Sequence, residues 1–174
     1  MKKLPFFLFV LFSIHLHAQK PVRLISKTVT LKNALSFSLK IPAGYNISVA
    51  AEGLKRPRFF AISPDGRLFI TDMYDRTDNK KGKVLVLENW NNTTRQFEKT
   101  TTYLDNLHNP NQVAFYTAGG KKYIYVAETG KLSYYLYNNG DNKPSSPATT
   151  IASFPDYGLS YKYGGWHLTR SLAF

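Results

Sequence analysis

Residues 57–71 read PRFFAISPDGRLFIT, and residues 112–127 repeat the theme as QVAFYTAGGKKYIYVA. In the first stretch a β-rich run, Phe59 to Ile62, meets a turn built of Ser63-Pro64-Asp65-Gly66. Pro64 sets φ and Gly66 permits positive φ. Leu68 to Thr71 then returns antiparallel. In the second, Gln112 to Phe115 is the outgoing run, Thr117-Ala118-Gly119-Gly120 the turn and Tyr123 to Ala127 the return. Two further strands follow each pair. Lys83 to Glu88 and Gln96 to Leu104 follow the first, Lys131 to Tyr137 and Ala148 to Phe154 the second. Arg170 to Phe174 resembles a third outgoing run, so Ala61, Ala114 and Ala173 mark a repeat of about 55 residues.

Four short strands per repeat point to an all-β chain made of β-propeller blades, with about two blades and the start of a third. A β-sandwich also has short strands and regular turns, but nothing in it requires an Ala-aromatic run followed by a Gly turn to recur. A ring needs at least about four blades. The sequence therefore predicts a fragment or truncated product, with a ring built from several chains as the rival. Helix periodicity with credible caps is missing throughout. Ahead of the repeats, Leu35, Phe37, Leu39 and Ile41 alternate as a half-buried strand should.

The start of the chain addresses it to a compartment. Lys2 and Lys3 precede an apolar stretch from Leu4 to Leu16, and Ala18 is a small residue suited to signal-peptidase cleavage. The stretch falls short of the roughly 20 residues of a membrane span, so an uncleaved anchor is the weaker reading. The expected organisation is a signal peptide over 1–18, an N-terminal strand segment over 19–41 and a partial propeller over 42–174. The protein is expected in the periplasm or outside the cell, with no stable membrane span after cleavage. There is no cysteine, so disulfides, thiol nucleophiles and thiolate metal sites are excluded.

Lysine and arginine number 23 against 11 acidic residues, a net charge of +12. These cations are scattered beside turns, as in Lys55-Arg56-Pro57-Arg58, Lys80-Lys81-Gly82-Lys83 and Lys121-Lys122. No nucleic-acid-binding motif accompanies them, so the reading is a solvated surface with some attraction for small acidic ligands and no nucleic-acid partner.

Candidates for chemistry are few. Beyond the signal region the histidines are His108 and His167. His167 precedes the third outgoing run, where a neutral imidazole suits proton removal from a hydroxyl near neutral pH. Packing beside Trp166 is the plainer alternative. His108 precedes the second run, next to the turn formers Asn109-Pro110-Asn111. Asn111 and Gln112 are candidates to present polar groups to a substrate. Asp72, Asp75 and Asp78 lack the alternation and central glycine of a calcium loop, so a solvated loop is expected and no metal site is assigned. The sequons at Asn46 and Asn91-Asn92 are common by chance.

Four segments carry a family likeness: Pro42 to Leu54 (PAGYNISVAAEGL), Pro57 to Ile70, Asn109 to Phe115 (NPNQVAF) and Gly164 to Phe174 (GGWHLTRSLAF). In these the chain resembles the soluble quinoprotein glucose/sorbosone dehydrogenase family. The resemblance implies a six-bladed propeller binding pyrroloquinoline quinone (PQQ), with calcium assisting. It also implies hydride transfer from an aldose or sugar aldehyde to the quinone, His167 as general base, and an electron acceptor as partner. The family's cationic cofactor residues and calcium ligands fall in later blades, so this chain alone is expected to be inactive. A non-enzymatic binding propeller is the principal alternative, and a calcium-using hydrolase a further one.

Overall fold

A computed structural model describes residues 21–155 and 170–174. All regular structure among the described residues is β-strand, and none of them forms a helix long and apolar enough to cross a membrane. Strands β1 (Leu24–Thr30) and β2 (Ser36–Pro42) form a two-stranded antiparallel hairpin. Sheet I consists of β3 (Pro57–Ile62), β4 (Leu68–Asp72), β5 (Gly82–Asn91) and β6 (Gln96–Leu107). Sheet II consists of β7 (Gln112–Ala118), β8 (Lys121–Ala127), β9 (Lys131–Tyr137) and β10 (Thr149–Ser153). Each four-stranded sheet is an antiparallel meander in which sequence neighbours pair. The eight strands of the two repeats thus lie where the turn chemistry predicts them.

The packing of sheet I on sheet II makes the core. Phe69, Val84, Val86, Tyr103 and Leu107 of sheet I meet Val113, Ile124, Val126, Tyr135 and Tyr137 of sheet II. Phe69 is fully buried at the centre. Its ring stands edge-on to Tyr103, Phe115 and Tyr137 at centroid distances of 5.1, 4.9 and 5.8 Å, the arrangement that aromatic quadrupoles favour.

The repeat marked by alanines is also a repeat of geometry. Ala61 sits opposite Phe69 on β4, and Ala114 sits opposite Tyr125 on β8. Phe115, which follows Ala114, packs on Phe69. Phe174, which follows Ala173, packs on Tyr125 at 5.0 Å and stacks on Tyr116 at 5.1 Å. Residues 170–174 therefore lie against the outer face of sheet II much as β7 lies against sheet I.

Two sequence expectations are corrected. Residues 170–174 are not a strand. Leu172 is instead held by a side chain, its N–H donating to Gln112 Oε1 at 2.6 Å and its carbonyl accepting from Gln112 Nε2 at 3.1 Å. Backbone pairing needs a partner edge in register, and here a carboxamide substitutes for it. The alternating run at 35–41 does form a strand, but not a half-buried one: Leu35, Phe37 and Leu39 are 56%, 42% and 38% exposed. Alternation specifies which side chains share a face, whereas burial needs something packed on that face. Among the described strands, β2 pairs with β1 alone.

Candidate functional site

The meander brings one set of connections to a common end of both sheets. Strands β3, β5, β7 and β9 begin there, and β4, β6, β8 and β10 finish there. The segments before β3, between β4 and β5, between β6 and β7, and between β8 and β9 therefore form a continuous mouth. Carboxylates at corresponding places build it. Asp72 lies three residues beyond Phe69, and Glu128 three beyond Tyr125. Asp72 accepts from the backbone N–H of Lys55 (2.8 Å), Arg56 (2.8 Å) and Tyr74 (2.9 Å). Glu128 accepts from the N–H of His108 at 2.7 Å. Each buried carboxylate thus fixes the segment that leads into the first strand of its own sheet. A buried anion is tolerated because it is hydrogen-bonded by otherwise orphaned donors.

Asp72 is accordingly not the solvated loop residue expected from sequence; it is 5% exposed. Asp75 does cap its own loop, and the Thr77 hydroxyl and N–H hold its carboxyl below the ordinary value. Asp78 meets the His108 ring. Among the described residues, no group of three or more acidic or histidine side chains is placed to hold a metal ion.

A second link joins the sheets at the mouth. The Asn79 N–H donates to Asn109 Oδ1 at 2.9 Å, the Asn109 N–H donates to the Asn79 carbonyl at 3.2 Å, and Asn109 Nδ2 donates to the Thr77 carbonyl at 2.9 Å. Pro110 presses so closely on Gly82 that a Cβ there would lie 2.1 Å from the proline Cδ. Asn111 is fully buried, with Nδ2 donating to the Asn109 carbonyl at 2.9 Å and its own carbonyl accepting from Thr71 Oγ1 at 3.0 Å. Of the sequence-derived site residues, the structure brings Asn111, Gln112 and His108 to this mouth. Asn111 and Gln112 direct hydrogen bonds to the chain itself. His167 lies outside the described residues.

Sequence reasoning missed a repeat position that carries an arginine in two of its three copies. Arg58, Asn111 and Arg170 each stand three residues before a marker alanine, so they occupy one repeat position at the starts of successive units. Arg58 is half-buried, and its Nε is shielded from solvent without a hydrogen-bond partner among the described residues. The repeat spacing could have revealed this set. Two clefts open on the same end. One of about 540 Å³ is lined by Lys55, Tyr74, Lys81, Lys83, Leu85 and Asp105, among others. Another of about 530 Å³ lies by Lys80, His108, Lys131 and Phe154.

The opposite end is a structural counterpart. Asp65, read from sequence as turn chemistry, accepts from Ser63 Oγ (2.5 Å), Arg67 Nε (3.0 Å), Tyr137 Oη (2.5 Å) and the Gly140 N–H (2.7 Å). Burial acts to raise the Asp65 carboxyl, but the bonds from Ser63, Tyr137 and Gly140 and the adjacent Arg67 outweigh it and hold the group far below the usual carboxylate range. Glu88 is likewise lowered, since Lys99, Thr101 and Arg67 overcome its burial. Burial pushes the Tyr103 and Tyr137 hydroxyls upward. This network fastens sheet I to sheet II at the end opposite the mouth.

Residues 31–157 match a family model described as a domain of unknown function, DUF7133. No curated protein and no solved structure matches the chain.

Proposed function

This chain belongs to the DUF7133 domain family, and we propose that it contributes consecutive blades to an exported, PQQ-dependent β-propeller oxidoreductase acting on an aldose or sugar aldehyde. The observation that carries the propeller reading is the repeated docking geometry. Phe115 sits on Phe69 as Phe174 sits on Tyr125, and each sheet fixes its own lead-in segment with a buried carboxylate. A unit that passes the same face to its successor generates a ring, six blades in the family it resembles.

The mouth suits an anionic cofactor in one respect. PQQ bears carboxylates, and the shielded Arg58 Nε has no partner among the described residues; with Arg170 at the equivalent position, guanidinium groups would hold those carboxylates. No group of three or more acidic or histidine side chains among the described residues is placed to hold calcium. When bound, PQQ supplies a quinone that accepts hydride from the sugar carbon. His167 takes the substrate hydroxyl proton as general base. Asn111 and Gln112 support the mouth from within it. An electron acceptor and a periplasmic or extracellular location complete the reading.

The test is dye-linked reduction with aldoses and aldehydes by the complete propeller to which this chain contributes its blades, supplied with PQQ and calcium. His167→Ala is expected to lower turnover at least about 100-fold, the scale of a general base; an unchanged rate removes His167 from the mechanism. The second reading, a non-enzymatic binding propeller, is favoured by the commitment of Asn111 and Gln112 to internal bonds. It predicts PQQ or sugar binding with no dye reduction by that complete propeller.

A further inference from the structure

We infer that the cleft beside Tyr74 binds a small organic anion with an apolar body, at a place separate from the arginines that start successive units. The cleft encloses about 540 Å³. This lies within the range of small-molecule sites. Leu54, Tyr74 and Leu85 supply its apolar wall, and Lys55, Lys81 and Lys83 its cations.

The formal charges lining it balance, but they are not equally exposed. Both oxygens of Glu52 accept from the Lys32 N–H, at 3.2 and 3.1 Å. Both oxygens of Asp72 are taken up by backbone N–H groups. Asp105 is the remaining lining carboxylate. Lys55, Lys81 and Lys83 form no ion pair within 4 Å among the described residues. Asp72 is buried and Glu52 partly so, whereas Lys55, Lys81, Lys83 and Asp105 are exposed, so a ligand meets three ammonium groups against one exposed carboxylate, which favours negative charge.

Tyr74 adds a second indication. It has φ of 72°, the left-handed region that a bulky side chain avoids. The bond from its N–H to Asp72 maintains that conformation and keeps the half-exposed ring at the cleft. The Lys81 ammonium lies 5.0 Å from the ring centroid. Strain held at a cavity wall beside an oriented cation is the pattern of a preformed ligand site. An aryl carboxylate suits it, with its ring against Tyr74 and Leu85 and its carboxylate toward Lys81 and Lys83.

The experiment uses the whole protein without PQQ, so it stands apart from the redox reading. Titration with 2-naphthoate, followed by saturation-transfer NMR, is expected to saturate and to weaken as sodium chloride is added. The neutral analogue 2-naphthalenemethanol is expected to bind at least about tenfold more weakly. The double substitution Lys81→Gln/Lys83→Gln is expected to lower naphthoate affinity about tenfold and leave the alcohol unchanged. Arg58→Gln should leave both unchanged. The inference is overturned by absence of saturable binding, by equal affinity for the two probes, or by an effect of Arg58→Gln in place of the lysine pair.

Discussion

Sheets I and II share a topology and differ in what covers their faces. On sheet I, the face carrying Ala61 and Phe69 is sealed by sheet II, while Phe60 and Ile62 on its other face are 73% and 62% exposed. On sheet II, the face carrying Ala114 and Tyr125 receives, among the described residues, the short segment 170–174, and Phe174 is 67% exposed. Equivalent positions in the two repeats therefore carry unequal energetic weight. A residue's contribution depends on the sheet packed against it more than on its place in the repeat.

The largest expected effect breaks this pair of positions. Phe69→Ala should destabilise the fold by about 3–5 kcal/mol, because it empties the centre of the aromatic cluster. Tyr125→Ala, at the equivalent register, should cost about 1 kcal/mol, because its ring packs on a short segment. Urea unfolding curves for both variants measure the ratio; equal losses would mean that the two faces are equally covered.

A smaller effect separates the two mouth corners. Sheet I starts its third strand with Gly82 against Pro110, and sheet II starts its own with Lys131. Gly82→Ala should cost about 1–3 kcal/mol, since neither a proline ring nor the nearby Leu107 carbonyl yields easily. Lys131→Ala should cost less than about 1 kcal/mol, its ion pair with Glu128 being half-exposed on the lysine side. Thermal unfolding of the two variants gives the comparison.

The smallest effect concerns the turn end, where Asp65 binds sheet II but Gly119-Gly120 has no side chain to reciprocate. Asp65→Asn should cost about 1–2 kcal/mol at pH 7. The Asp65 carboxyl is lowered on folding, so its contribution is fully present above the unfolded value of 3.8 and is lost as pH falls toward the folded one. Glu88 behaves alike from 4.5 downward. Acid unfolding of the wild type should therefore steepen below about pH 4.5, and Asp65→Asn should remove part of that slope. An unaltered acid profile would separate Asp65 from the coupling of the sheets.

Much of this was legible in the residues. Ser63-Pro64-Asp65-Gly66 and Gly119-Gly120 impose tight turns, and β-branched and aromatic runs on either side supply strands, so eight strands follow from local chemistry. Asp72 was misread because its loop is polar, and a carboxylate that collects N–H groups from residues 16 and 17 positions away leaves no local signature. The arginine set was missed because nothing about one arginine beside a turn distinguishes it until the repeat is laid over the sheets. Gln112 looked like a channel-facing amide, and its partner lies 60 residues on.

The sequence alone determined the strands, their turns and the period with which they recur, because those depend on neighbours a few bonds apart. Tertiary structure decided which faces are sealed, where each buried carboxylate finds its donors, and which charges lie exposed at the mouth. Those outcomes depend on the relative position of chain segments distant in sequence, and no local pattern of residues encodes them.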